Sequence, residues 1–146
     1  MFVGEYSHTI DEKGRMIMPA PYRRVLEEKG IKKIIITSGV GNCLVAYPPE
    51  EWFRLLDKIK NIPTAKKEVR DFIRKFCADA MECPIDEQGR LNIPPKLRDL
   101  AELTKEIVII GVIEKMELWD KERWVEQYKS ISETYEANVE NLDLGI

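Results

Sequence analysis

Residues 11–23, Asp-Glu-Lys-Gly-Arg-Met-Ile-Met-Pro-Ala-Pro-Tyr-Arg, recur as residues 86–98, Asp-Glu-Gln-Gly-Arg-Leu-Asn-Ile-Pro-Pro-Lys-Leu-Arg, with six of the thirteen pairs identical. Most of the remaining pairs exchange one apolar residue for another. An internal repeat constrains the fold more than any other feature, because every later motif sits on the symmetry it imposes. Two copies are too few for a solenoid, whose repeats bury a core only by stacking on several neighbours. The repeat therefore predicts a pseudo-twofold domain in which each half brings the same turn and the same arginine.

A chain of 146 residues is long enough to bury a real core as one compact unit spanning 1–146. Two halves are expected at about 1–60 and 78–125, joined by a helix at about 64–80 and followed by a C-terminal helix at about 120–142. A content of 44% hydrophobic and 34% charged residues is that of a globular chain. No apolar run approaches bilayer length, and the opening residues, with Glu5 among them, lack a signal-peptide pattern. The expected location is cytoplasmic, with no membrane partner. Cys43, Cys77 and Cys83 show no Cys-x-x-Cys spacing and read as reduced thiols, with no metal site and no cofactor.

The net charge of −3 argues against a stand-alone nonspecific nucleic-acid binder. The distribution is uneven. Residues 1–24 hold four cations (Lys13, Arg15, Arg23, Arg24) against three anions (Glu5, Asp11, Glu12), so this segment carries +1 and the rest −4. A nucleic-acid role needs a local surface, multiplied by oligomerisation.

Alternation from Phe2 to Ile10 predicts a strand. Asp11 followed by Gly14, and Asp86 followed by Gly89, carry the chemistry of a tight type I turn. A short strand follows each turn and stops at Pro19 or Pro94, with a short helix next. Lys33–Thr37, Cys43–Tyr47, Ile107–Ile110 and Met116–Trp119 read as further strands, and Trp52 and Trp124 lie on helices after the last strand of each half. The linking helix is expected to bury Val69, Phe72, Ile73, Phe76, Cys77 and Ala80. Asp120 is placed as the cap of the final helix, whose stripe of Trp124, Tyr128, Ile131, Tyr135, Val139 and Leu142 is a packing face for its own domain or a neighbour.

An Asp-x-x-Gly-Arg turn aims its arginine from a rigid corner. The planar guanidinium fork suits guanine O6/N7 and phosphate alike. The competing reading is that Arg15 and Arg90 only staple their turns through Asp11 and Asp86. Arg23, Arg24, Lys96 and Arg98 stand near the starts of the short helices, as phosphate contacts or as solvated surface charge. His8, the single histidine, has no catalytic partners and reads as structural. No catalytic set, small-molecule site or nucleotide loop emerges, so no enzyme is expected.

The segments MFVGEYSHTIDEKGR, GNCLVAYPPEEW, FIRKF, DEQGRLNIPPKLR and ELWDKERWVEQ together resemble the MraZ family, which carries two AbrB-type swapped-hairpin elements in tandem. The resemblance covers essentially the full chain. It implies an α+β fold built as a double-split, swapped-hairpin β-barrel flanked by helices, assembled into a homo-oligomeric ring. It implies sequence-specific binding of double-stranded DNA at short promoter repeats, regulation of the division and cell-wall gene cluster, and association with the nucleoid. The DNA-contacting motif of that family falls on Asp11 and Arg15 and on Asp86 and Arg90, with Arg23, Arg24 and Arg98 as basic residues after the proline and Lys13 at the turn tip. The second copy has Asp99 where the first has Arg24 and Gln88 where the first has Lys13, so the first copy is the more basic, and if one copy dominates DNA contact it is expected to be the one that carries Arg15. The alternative is an antitoxin-like protein-interaction module, disfavoured by the two elements and the patterned final helix.

Overall fold

A computed structural model describes residues Met1–Ile146. Each half begins with the same order of elements. The first holds β1 (Glu5–Thr9), β2 (Arg15–Ile17), α1 (Ala20–Glu28), β3 (Lys33–Ser38), β4 (Leu44–Tyr47) and α2 (Pro49–Lys60). After α3 (Lys67–Asp79) come β5 (Met81–Pro84), β6 (Arg90–Asn92), α4 (Pro95–Leu100), β7 (Glu106–Val112), β8 (Lys115–Asp120) and α5 (Lys121–Leu142).

Strand pairing interleaves the halves. The main sheet is antiparallel with six strands in the order β1-β7-β8-β4-β3-β5, which maps onto itself when the two repeats are exchanged. β1 pairs with β7 of the other half, Tyr6 opposite Ile109, and β5 pairs with β3, Cys83 opposite Ile34. β4 and β8 meet at the centre, Val45 opposite Glu117. Neither half holds its own first strand, so neither can complete its sheet alone.

β2 and β6 form a separate two-stranded ladder, Met16 opposite Leu91. A barrel closed by continuous pairing, which the resemblance implies, is not found: the main sheet has free ends at β1 and β5. The reason lies in the turns. Where the chain passes from β1 to β2 the strands share the bond Asp11 N–H to Arg15 O at 3.0 Å, and the second turn repeats it with Asp86 N–H to Arg90 O at 2.9 Å and adds one isolated bridge, Ile85 opposite Leu91. The chain leaves the sheet there and builds the ladder across the gap.

Period-2 alternation divides the side chains between the two faces of the sheet. Ile34, Ile36, Leu44, Ala46, Ile107, Ile109, Met116 and Leu118 join Met16, Met18, Leu91 and Ile93 of the ladder region and Tyr22, Leu26 and Leu97 of the short helices in the main core. On the opposite face Ile35, Val45 and Tyr47 pack on Trp52, Ile59 and Phe76, while Val108 and Trp119 pack on Trp124. Thr37 ties α3 to the sheet, its hydroxyl donating to Phe76 O at 2.7 Å.

Three expectations about side chains need correction. Phe72 is 47% exposed and Cys77 is exposed, because α3 turns only its Ile73–Phe76 edge to the sheet. Asp120 stands at the start of α5 without capping it; its carboxylate accepts instead from Thr104 N–H and Oγ–H at 3.2 and 2.7 Å. The α5 stripe is buried only at Trp124; Tyr128, Ile131, Tyr135 and Leu142 lie exposed.

Candidate nucleic-acid interface

Each turn is built by its aspartate. Asp11 Oδ1 accepts from Lys13 N–H and Arg15 N–H, both at 2.9 Å, and Oδ2 accepts from Arg15 Nε at 2.8 Å. Asp86 repeats the pattern with Gln88 N–H at 3.0 Å, Arg90 N–H at 2.9 Å and Arg90 Nε at 2.7 Å. The Arg15 and Arg90 backbone N–H groups are the chief reason both carboxyls titrate below the ordinary carboxylate value, their side chains adding to the effect against partial desolvation. The stapling reading of the arginines is thus geometrically real. It does not consume them. Binding through Nε fixes the plane of the fork and leaves the two Nη groups outside the aspartate's hydrogen bonds.

The arginines differ at that point. Arg15 Nη1 and Nη2 have no hydrogen-bond partner, whereas Arg90 Nη2 donates to Gln88 Oε1 at 3.1 Å. Lys13, the repeat counterpart of Gln88, is exposed and makes no such contact.

Arg23 and Arg98 act across the pseudo-twofold axis. Arg23 Nη1 donates to Gln88 O at 3.3 Å, and Arg98 donates through Nε to Ile93 O at 3.0 Å and through Nη1 to Glu12 O at 3.5 Å. Each side chain covers the turn of the opposite repeat. Gly14 and Gly89 make room for them: both have positive φ (+84° and +78°), and a Cβ on Gly89 would stand 2.5 Å from Arg23 Cδ. The four arginines therefore gather at the two turns. Arg24 is exposed on α1 with no side-chain hydrogen bond or ion pair, while Lys96 turns away, donating to Ala78 O at 2.9 Å near Asp79.

The ladder sets the direction of the arginines. Arg15 stands opposite Asn92, and Ile17 opposite Arg90. Directly opposed residues share a face, and residues two apart share it too. Met16 and Leu91 point into the core at 2% and 1% exposure, so Arg15, Ile17, Arg90 and Asn92 all point outward. Ile17 and Asn92 are members of this face that the sequence reading missed. The signal was present: if Met16 and Met18 face inward, alternation places Ile17 outward.

Outside this face little chemistry is gathered. No group of three or more His, Cys, Asp or Glu side chains is placed to hold a metal ion. Cys43 and Cys83 are buried, which pushes both thiols up to about 12, and burial lowers the His8 pKa. No helix is long and apolar enough to cross a membrane.

Known proteins resemble this chain over its whole length. The family described as "MraZ protein, putative antitoxin-like" matches residues 1–75 and again 76–144, one match for each repeat. A protein of Moorella thermoacetica named "Transcriptional regulator MraZ" is 44% identical over 142 residues, covering 97% of this chain and 96% of that protein. One of the same name from Caldanaerobacter subterraneus subsp. tengcongensis is 44% identical over 143 residues, covering 98% and 97%. The solution structure of PHS018 from Pyrococcus horikoshii covers 81% of this chain and 88% of its own at 19% identity, but its TM-score of 0.32 carries no weight for the fold.

Proposed function

This chain belongs to the MraZ family, and on that premise we propose that it binds double-stranded DNA sequence-specifically through the outward face of the β2–β6 ladder. Its relatives are named transcriptional regulators, a non-enzymatic role. The observation that supports the ladder is the placement of Arg15 and Arg90 on one exposed face of a two-stranded ribbon, each with its fork oriented by an aspartate. A two-stranded ribbon is narrow enough for the major groove of B-DNA, and a guanidinium fork matches the two acceptors of guanine there. Lys13 at the turn tip and Arg24 on α1 supply unpaired positive charge, and Arg23 and Arg98 hold the turns in place.

The interleaved sheet and the bridging ladder support a swapped-hairpin arrangement, in which both halves fold as one unit because each lends the other a strand. Copies assemble into a ring through apolar surface that a single chain leaves open, of which Tyr128, Ile131 and Tyr135 on α5 are the clearest example. Several ladders then engage short promoter repeats ahead of the division and cell-wall genes at once. Simultaneous engagement strengthens binding by roughly 10²- to 10⁴-fold over one site, which offsets the acidic net charge.

Titrating a labelled promoter duplex with the full chain across a salt series tests this. Log affinity should fall linearly with log salt. Absence of duplex binding, together with a co-purifying protein partner, would instead support the antitoxin-like module.

A further inference from the structure

Ile17 and Asn92 occupy equivalent positions of the repeat, the seventh of thirteen, yet differ completely in chemistry. Their neighbours on the face, Arg15 and Arg90, are the same residue in both copies. The ribbon is therefore symmetric in its arginines and asymmetric at this one pair. Neither residue earns its place by packing. Ile17 is 53% exposed, and Asn92 is exposed with no hydrogen bond from its side-chain amide.

The register also sets their distances. Met18 N–H donates to Gly89 O at 2.9 Å and Ile93 N–H to Gly14 O at 2.7 Å, so alternate pairs from the ends of the ladder are the hydrogen-bonded ones. The pairs between, Arg15–Asn92 and Ile17–Arg90, are the close kind, with Cα atoms about 4.5 Å apart. Diagonal neighbours such as Arg15 and Arg90 then lie ~7–8 Å apart, roughly two base steps of DNA.

We propose that Asn92 and Ile17 give the ladder its base specificity and its direction on DNA: Asn92 hydrogen-bonds an adenine beside the guanine taken by Arg15, and Ile17 packs on a thymine methyl beside the guanine taken by Arg90. Asparagine offers a donor and an acceptor that fit adenine N7 and N6, and an exposed aliphatic side chain fits the methyl group that only thymine presents in the major groove. A ribbon with identical residues at both positions would read a site equally well in either orientation. The Ile–Asn difference makes one orientation preferred. This inference rests on the ladder being the DNA-binding face.

Selection of the full chain on a duplex pool with a randomised central window tests it. Wild type should enrich an asymmetric window, with adenine beside one guanine and, on the opposite strand, thymine beside the other. Asn92→Ala should lose the adenine preference, a discrimination of about 5- to 100-fold for a bidentate contact, with an unchanged slope of log affinity on log salt. Ile17→Val should keep the thymine preference. Ile17→Asn should replace it with a second adenine preference and make the window two-fold symmetric. Matched thermal melting of the variants shows that the fold is intact. Recovery of the wild-type window by both Asn92→Ala and Ile17→Asn would overturn the inference while leaving DNA binding by the ladder standing. Failure of wild type to retain any duplex would overturn both.

Discussion

Arg15 donates Nε–H to Asp11 Oδ2 at 2.8 Å and keeps both Nη groups unpaired, whereas Arg90, at the same place in the second repeat, gives one Nη to Gln88 Oε1 at 3.1 Å. A fork already holding a glutamine must give up that bond before it can grip a base. Arg15→Ala should therefore weaken duplex binding by about 10- to 100-fold, in line with loss of one bidentate contact, and Arg90→Ala by less. Gln88→Ala should bring the second site closer to the first. Fluorescence anisotropy at one fixed salt concentration ranks the three variants.

Charge and readout are separable on this surface. Asp11 and Asp86 neutralise much of the field of the arginines they hold, so on the proposed interface the phosphate attraction falls to the unpaired cations Lys13 and Arg24. Lys13→Ala and Arg24→Ala should each lower the slope of log affinity on log salt by about one while leaving base preference intact. A titration series from low to physiological salt measures both slopes.

Gly14 has no tolerable replacement. Its φ of +84° disfavours any L side chain, and a Cβ there would stand 2.3 Å from Ile93 O and 3.0 Å from Arg98 Nε. Gly14→Ala combines left-handed strain of about 1–2 kcal/mol with a clash against backbone costing about 1–3 kcal/mol. Gly30 also has positive φ, +66°, but nothing lies within 4 Å of its Cβ position, so Gly30→Ala carries the strain alone. Chemical denaturation should show Gly14→Ala as the more destabilised of the two.

The turns respond to acid in a defined direction. Asp11 and Asp86 titrate below the ordinary value of 3.8 in the folded chain. Groups with a depressed folded pKa contribute their stability above the unfolded value and lose it as pH falls through the folded one. The contribution is complete at neutral pH and fades below about pH 4. An Asp11→Asn/Asp86→Asn double variant should be less stable than wild type at pH 7, with the gap closing as pH falls below 3.8. Thermal melts across that range follow the gap directly.

Much of this architecture is legible in the sequence because it is local. The Asp-x-x-Gly-Arg turns, the prolines that end β2 and β6, and the tryptophans of α2 and α5 follow from residue chemistry at short range. Strand partnership is not local. Nothing in Glu5–Thr9 says that its partner is Glu106–Val112 and not a strand of its own half. Exposure fails for a related reason: helical spacing shows that Phe72 and Cys77 share an apolar stripe, but which edge of α3 meets the sheet decides how much of the stripe is covered. Asp120 shows a third limit, since a residue at a cap position binds whichever donor tertiary structure brings nearer, here Thr104. Arg15 and Arg90 can be singled out from the repeat, but that they share one face with Ile17 and Asn92 requires the ladder register.

The most direct test of the ladder as a DNA-binding face is the affinity of the Arg15→Ala/Arg90→Ala double variant for a promoter duplex, measured beside its melting temperature. Both side chains are partly exposed and lie outside the core, so the variant should melt close to wild type. Its affinity should fall to the level shown toward unrelated duplex. Retention of wild-type affinity and sequence preference by a properly folded double variant would contradict the assignment.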